Sequence, residues 1–221
     1  YEQEPVLSPV LDGLSQAEEL YTDLVKLFRQ YANPSLAAKN RKWYKNEDYQ
    51  SYGLGGDGYK AIDLLLRHEI RGLPLRGRLH LARWLVLSGM AEKADFANII
   101  LARSVKELNP ADFSYLDEHL NHFHSWAQTD SFCIGVLQPL LWRYPDQVLA
   151  LLRTWNDSEN PWKRRASVVA FVRKVGASGK FTLPALALCE NLLDDPEDLV
   201  QKGVGWTLKD TMRGDKEHVL E

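Results

Sequence analysis

Helical periodicity covers nearly the whole chain, and patterns typical of β-strands are almost absent. Apolar residues recur at intervals of three and four, as on one face of an α-helix. Breakers such as Asn33-Pro34 and Asn160-Pro161 separate the periodic stretches. This pattern predicts an all-α protein with helices at roughly 14–32, 34–46, 58–70, 75–89, 93–105, 111–121, 126–143, 146–154, 161–175, 181–192 and 196–212.

A weak internal repeat indicates how these helices are arranged. Residues 157–166 resemble residues 194–203 at an offset of 37. This period is typical of stacked helix pairs of the HEAT or armadillo kind, which form a curved solenoid with a concave surface. We therefore predict one domain over residues 1–221, a solenoid of HEAT-like antiparallel helix pairs.

Composition narrows the class of protein further. Hydrophobic residues make up 45% of the 221 residues, which is enough for a sizeable core. No apolar run reaches the length of a membrane helix, and no secretory signal is visible. Cys133 and Cys189 lie far apart and form no CxxC pair. Because two such thiols suit a reducing compartment, we expect a cytoplasmic protein.

Charge is distributed unevenly along the chain. The net charge is −3, yet residues 1–23 hold six acids and no base, and residues 160–180 hold six bases and no acid. This asymmetry fits a basic face that binds nucleic acid on an otherwise acidic body. It equally fits two solvated helix faces of opposite sign.

Two charged residues fall where the helical pattern expects apolar ones. Asp130 lies within an apolar stripe of the helix that starts at Trp126, and Ser125 with Gln128 forms a capping-box pattern just before it. Arg165 falls between Val169 and Val172 on the helix that starts at residue 162. Because an unpaired buried charge is costly, the two residues are candidates for a pair. The alternatives are a surface aspartate at the edge of the stripe and a purely structural salt bridge.

The last long helix carries an unusual tryptophan. Trp206 points away from the stripe that contains Val204, with Lys202 and Lys209 beside it. Gly203 and Gly205 stand in the same helix, where small residues let another group approach closely. A tryptophan flanked by lysines suits DNA contact, although the same pattern fits a ring packed under a neighbouring helix.

A second basic and aromatic cluster lies near the N-terminus. Residues 39–45 contain four bases together with Trp43 and Tyr44, and the cluster ends at Lys45. Bases between aromatic residues favour phosphate contact combined with stacking. The alternative is an amphipathic helix end with snorkelling lysines.

Other motifs do not indicate a chemical site. His119, His122 and His124 cluster without HExxH spacing or a nearby cysteine, so we expect no metal. The glycine-rich segment 53–58 lacks the Lys-Ser/Thr of a P-loop and is interpreted as a flexible connection.

Three motifs in the second half of the chain occur in a specific order. Trp126 precedes Asp130 by four residues, residues 162–166 read Trp-Lys-Arg-Arg-Ala, and residues 201–206 read Gln-Lys-Gly-Val-Gly-Trp. With Asp130 and Arg165 separated by 35 residues, these motifs resemble the DNA alkylation repair family, the AlkD-type alkylpurine DNA glycosylases. The resemblance extends over roughly residues 15–212 and is strongest from residue 120 onward.

The resemblance implies a fold, a partner and an activity. The fold is a HEAT-like solenoid whose concave groove binds duplex DNA. The activity is hydrolysis of the N-glycosidic bond of cationic purines alkylated at N3 or N7, without a base-flipping pocket and without a cofactor. We expect a monomer, associated with the nucleoid when bound to DNA. The implied catalytic residues are Trp126, Asp130, Arg165 and Trp206.

The remaining site residues are predicted DNA contacts. The candidate phosphate ligands are Lys163, Arg164, Lys202 and Lys209. Near the N-terminus, Trp43 or Tyr44 is expected against the DNA, with Lys45 beside them. Two other functions stay open: a non-catalytic HEAT-like protein that binds distorted or branched DNA, and a HEAT-type protein scaffold, which the acidic net charge favours.

Overall fold

The computed structural model describes residues 9–44, 46 and 49–220, and its regular structure is almost entirely α-helical. Within these ranges, β-type pairing is limited to one isolated parallel bridge between Gln50 and Met90. The predicted all-α class is therefore confirmed. In the described part of the chain, no helix combines the length and apolar character that crossing a bilayer requires.

The α-helices follow one another with short connections. They are α1 Pro9–Gln30, α2 Pro34–Tyr44, α3 Gly56–Glu69, α4 Leu75–Leu87, α5 Ala91–Ser104, α6 Phe113–Leu120, α7 Trp126–Phe132, α8 Gln138–Arg143, α9 Pro145–Asn156, α10 Pro161–Val169, α11 Lys174–Ala177, α12 Thr182–Glu190, α13 Asp198–Thr211 and α14 Lys216–Leu220. Single 3₁₀ turns occur at Ile70–Gly72 and Pro110–Asp112, and a π-helical turn at Cys133–Leu137.

Two predicted helices differ in the second half of the chain. The helix predicted over 126–143 is divided into α7, the π turn and α8. Pro139, in the first turn of α8, has no N–H to continue the α-helical ladder, and the π turn precedes it. The helix predicted over 161–175 ends at Val169, and the chain then turns through Arg173 before α11 begins.

The chain divides into two compact units between Ser104 and Val105. In the first unit, α4 packs against α1 and α5, and α3 packs against α1. Phe28 and Phe96 meet edge to face in its core, with ring centroids 5.6 Å apart. The single domain over residues 1–221 stays a prediction.

A buried carboxylate orders the glycine-rich segment of the first unit. Glu92 accepts hydrogen bonds from the backbone N–H groups of Tyr52, Gly53 and Leu54, at 2.9, 2.8 and 3.2 Å. Gly53 has φ +70°, and a Cβ there would lie 2.2 Å from the carbonyl oxygen of Asn33. Only glycine fits this close approach, so the start of the segment is fixed by its neighbours.

The second unit contains successive packed helices. Helix α10 packs against α7, α9 and α13, and α12 packs against α9, α10 and α13. The two copies of the sequence repeat reach into α10 and α13, so the repeated segments are direct neighbours. Behind α7, Phe132 contacts Phe123 and Trp155 in a buried aromatic cluster. This cluster fixes the inner side of α7.

Candidate active site

Helix α7 presents Asp130 one turn after its start. Ser125 caps the helix, because its hydroxyl accepts a hydrogen bond from the N–H of Gln128 at 3.4 Å. The Gln128 side chain in turn accepts the N–H of His124 at 2.7 Å. Both residues of the predicted capping pattern thus stabilise the start of α7, although Gln128 binds the N–H of His124 rather than that of Ser125.

Asp130 and Arg165 form the predicted ion pair. Nε and Nη2 of Arg165 donate to the two carboxylate oxygens of Asp130, each at 2.9 Å. Asp130 is 8% exposed and Arg165 is 5% exposed, so the pair is buried. A bidentate guanidinium–carboxylate pair fixes the plane of the carboxylate as well as its position.

Helix α13 completes the surroundings of Arg165. Nη1 of Arg165 donates to the carbonyl oxygen of Leu199, at the start of α13. A Cβ on Gly203 would lie 3.4 Å from Nη1 of Arg165 and 3.2 Å from Cγ2 of Val169. The groups that approach Gly203 are therefore the side chains of Val169 and Arg165, whereas a Cβ on Gly205 would have no neighbour within 4 Å.

Burial and neighbouring charges shift the pKa of Asp130 in opposite directions. Burial raises the pKa of Asp130 above its ordinary value, and the hydrogen bonds and charge of Arg165 together with the charge of Arg173 lower that pKa. The bidentate pair favours the ionised carboxylate. Burial also raises the pKa of the Cys133 thiol well above its ordinary value, so this neighbour is no thiolate nucleophile.

The two predicted site tryptophans differ in exposure. Trp126 stands one helical turn before Asp130, on the same side of α7, and is 36% exposed. Trp206 is half-buried and follows Gly203 by three residues, so it lies on the side of α13 that meets Arg165. The guanidinium carbon of Arg173 lies 5.8 Å from the centroid of the Trp206 ring.

Arg173 is the residue of this region that the sequence patterns did not single out. In the sequence it is only one of the six bases in residues 160–180. Its place in the predicted helix 161–175 concealed a turn, and the turn is what brings its side chain to Trp206. No local pattern marks this turn, since Gly176, the first glycine after Arg173, lies within α11.

Three of the predicted phosphate ligands are engaged in ion pairs within the chain. Nζ of Lys163 lies 2.7 Å from Asp117, Nε of Arg164 lies 2.6 Å from Asp195, and Nζ of Lys202 lies 2.6 Å from Asp198. Arg164 and Asp195 are largely buried, whereas the pair of Lys202 is exposed and therefore weak. Lys209 is exposed in the last turn of α13.

The predicted N-terminal DNA contacts lie in the first unit. Trp43, in the last turn of α2, is 75% exposed. Tyr44 instead stacks on Tyr49, with ring centroids 4.4 Å apart. Lys45 lies outside the described residues. Of the two aromatic candidates, Trp43 is the one that presents its ring to solvent.

The histidine cluster has a structural environment. His119 is buried and lies between Tyr115 and Phe132, at ring distances of 6.0 and 5.7 Å. Burial lowers the pKa of His119 to about 3, which keeps the imidazole neutral. Among the described residues, no group of three or more histidines, cysteines or carboxylates is arranged to hold a metal ion.

The fold and the site together define an all-helical protein with a buried aspartate–arginine pair beside exposed and half-buried tryptophans. The chain belongs to the DNA alkylation repair enzyme family, whose model matches residues 24–221. This membership gives the protein a role in DNA repair.

The fold also resembles that of a solved structure. A predicted DNA alkylation repair enzyme from Enterococcus faecalis superimposes with a TM-score of 0.67 at 16% sequence identity, over 86% of this chain and 87% of that chain. At this identity the likeness concerns the fold alone. No protein of curated function is significantly similar to the chain in sequence.

Proposed function

We propose that the protein is a DNA glycosylase that hydrolyses the N-glycosidic bond of cationic N3- or N7-alkylated purines in duplex DNA. The observation that carries this proposal is the buried carboxylate of Asp130, which accepts two hydrogen bonds from Arg165. Asp130 lies one helical turn after Trp126 on α7. Family membership supports a repair reaction on alkylated DNA.

The chemistry of the lesion explains why so few groups are needed. A purine alkylated at N3 or N7 already carries a positive charge. When the bond between C1′ and the base nitrogen breaks, its electron pair stays with the base, which leaves neutral. The sugar becomes oxocarbenium-like, so the protein must supply negative charge and a positioned water rather than an acid.

Asp130 suits both of these tasks. Its fixed carboxylate stabilises positive charge at C1′, and one of its oxygens accepts a proton from the attacking water. The water oxygen then bonds to C1′, and the products are an abasic sugar and the neutral alkylated base. Arg165 orients the carboxylate and favours its ionised form, since its charge and hydrogen bonds oppose the effect of burial on the pKa of Asp130.

The tryptophans are proposed to contact the deoxyribose. Their electron-rich faces favour the positive charge that develops on the sugar. Trp126 is partly exposed beside Asp130, and Trp206 projects from α13 on the side that meets Arg165. Of the predicted DNA contacts, Lys202 and Lys209 are exposed in the second unit and Trp43 is exposed in the first, which supports contact with the DNA backbone. Lys163 and Arg164 would first have to leave their carboxylate partners.

The test is base release from an oligonucleotide duplex that contains a single 7-methylguanine, measured under single-turnover conditions against a blank without enzyme. The natural protein is expected to release the base, and Asp130→Asn to lose at least about 10²-fold in rate, the scale set by removal of one electrostatic stabiliser of a transition state. Binding of undamaged duplex should change little.

Asp63→Asn is the matched control. Asp63 also accepts hydrogen bonds from arginines, Arg67 and Arg103, but it lies in the first unit and is not among the candidate site residues. This variant should retain the rate at a temperature where it is folded. Base release at the blank rate by the natural protein would overturn the proposal and favour non-catalytic DNA binding. Full activity of Asp130→Asn would overturn the catalytic role of Asp130.

A further inference from the structure

Arg173 adopts a backbone conformation that is rare for a residue with a side chain. With φ +60° and ψ −128°, it is the one non-glycine residue of positive φ in the described part of the chain. Such conformations are strained and persist where neighbours enforce them. Here Asp210, buried on α13, accepts the N–H of Arg173 at 2.7 Å.

The side chain of Arg173 is exposed and differs from its basic neighbours in its partners. Lys163, Arg164 and Arg165 each pair with a carboxylate. For Arg173, no carboxylate lies within ion-pair distance among the residues the structure describes. Its guanidinium instead lies over the ring of Trp206, 5.8 Å from the centroid. This is the geometry of a cation–π contact that leaves the N–H donors available.

One helix holds both parts of this arrangement. Asp210 and Trp206 are four residues apart on α13, so the carboxylate that fixes the backbone of Arg173 and the ring under its side chain stand on one side of the helix. The same guanidinium is close enough to Asp130 for its charge to lower the pKa of that carboxylate. The strained turn thus directs a free cation to the neighbourhood of Asp130 and Trp206.

We propose that Arg173 is a phosphate-binding residue of the site, which grips the DNA backbone next to the damaged nucleotide while its guanidinium steadies the ring of Trp206. The inference rests on the proposed function. An arginine suits this role because its planar guanidinium binds phosphate oxygens through two donors and stacks on an aromatic face at the same time.

The first experiment compares Arg173→Gln with the natural protein and with Lys174→Gln. Lys174 is the neighbouring exposed base and is not among the groups that shift the pKa of Asp130. Arg173→Gln should lower the single-turnover rate on 7-methylguanine duplex by about tenfold, the scale of one charge-assisted hydrogen bond. Lys174→Gln should stay within about twofold, because it removes a charge without touching Trp206.

Two further readouts separate phosphate binding from a purely structural role. In titrations of undamaged duplex, Arg173→Gln should reduce the slope of log K against log salt by about 0.9, the value for one phosphate contact. In the pH profile of the rate, loss of the Arg173 charge should raise the pKa of Asp130 and move the acid limb to higher pH. Arg165 still faces the carboxylate in this variant, so the limb should move without disappearing.

Arg173→Gly tests the role of the side chain in a variant whose fold should be retained. Glycine adopts positive φ without strain, so the melting temperature should be equal to or above that of the natural protein while the rate falls as in Arg173→Gln. A rate equal to that of Lys174→Gln, or an unchanged salt slope, would overturn the inference. If the natural protein releases no base, the proposed function fails, and the salt slope alone decides whether Arg173 binds phosphate.

Discussion

Gly203 and Arg165 meet across the interface between α13 and α10, where a Cβ on the glycine would lie 3.4 Å from Nη1 of the arginine. The absence of a side chain at this position gives the guanidinium room to reach both Asp130 and the carbonyl oxygen of Leu199. A glycine in the middle of a helix normally lowers stability by about 1 kcal/mol relative to alanine. Here its lack of a side chain contributes to the geometry of the site.

Gly203→Ala should therefore impair function more than stability. The gain in helix propensity, about 1 kcal/mol, is offset by the close contacts with Arg165 and Val169, so urea unfolding should change by no more than about 1 kcal/mol. The added Cβ also narrows the space beside the Arg165 side chain. Because a shift of the guanidinium moves the carboxylate of Asp130 with it, we expect a loss of about tenfold in base release.

Gly205→Ala is the matched control for this substitution. A Cβ at Gly205 meets no atom within 4 Å, so the free energy of unfolding should rise by about 1 kcal/mol. The interpretation of Gly203 would be wrong if both alanine variants were stabilised alike and Gly203→Ala kept its full rate.

The Asp130–Arg165 pair should behave as a coupled unit in stability measurements. Arg165→Met alone leaves the carboxylate buried without its partner and should cost about 3–5 kcal/mol. Asp130→Leu with Arg165→Met removes both charges, and the double variant should recover most of this loss. Denaturant unfolding of the natural protein, the two single variants and the double variant measures the coupling energy, and additive losses would contradict a buried pair.

The sequence was sufficient for the fold class and for this pair because both leave a periodic signal. Apolar residues at helical spacing predict helices, and a charge inside an apolar stripe predicts a partner, as Asp130 and Arg165 confirm. The turn at Arg173 left no such signal. Its conformation depends on Asp210, which is 37 residues away in sequence, and local patterns do not contain contacts of that range.

The sequence also does not show which basic side chains form ion pairs within the protein. Lys163 and Arg164 have the same local pattern as free phosphate ligands. They nevertheless form ion pairs with Asp117 of α6 and with Asp195 of the connection between α12 and α13. The same holds for the glycine-rich segment 53–58, for which the sequence predicts a flexible connection. The carboxylate that orders this segment belongs to Glu92 of α5, which lies 39 residues after Gly53 in the sequence.

Glu92→Gln should consequently destabilise the first unit. The amide keeps the size of the side chain but loses the charge that accepts three backbone N–H groups and the hydroxyl of Ser51, whose oxygen lies 2.6 Å from the carboxylate. Hydrogen bonds to a charged group contribute about 1.5–3 kcal/mol, and we expect a loss in this range by urea unfolding.

Glu69→Gln, at an exposed position at the end of α3, should change stability by less than about 0.5 kcal/mol. Equal effects of the two variants would argue against an anchoring role of Glu92.

His119 should make the stability of the protein sensitive to acid. Burial lowers the pKa of the folded-state imidazole to about 3 from an ordinary value of 6.5. As the pH falls below 6.5, the unfolded chain binds a proton that the folded chain does not, so stability is lost progressively down to about pH 3. The limiting slope from this one group is about 1.4 kcal/mol per pH unit.

His119→Phe keeps an aromatic ring between Tyr115 and Phe132 but binds no proton, so its unfolding free energy between pH 6 and 4 should fall less steeply by roughly that slope. Identical slopes for His119→Phe and the natural protein would mean that the imidazole of His119 is protonated within the folded chain, and the buried neutral state would have to be abandoned.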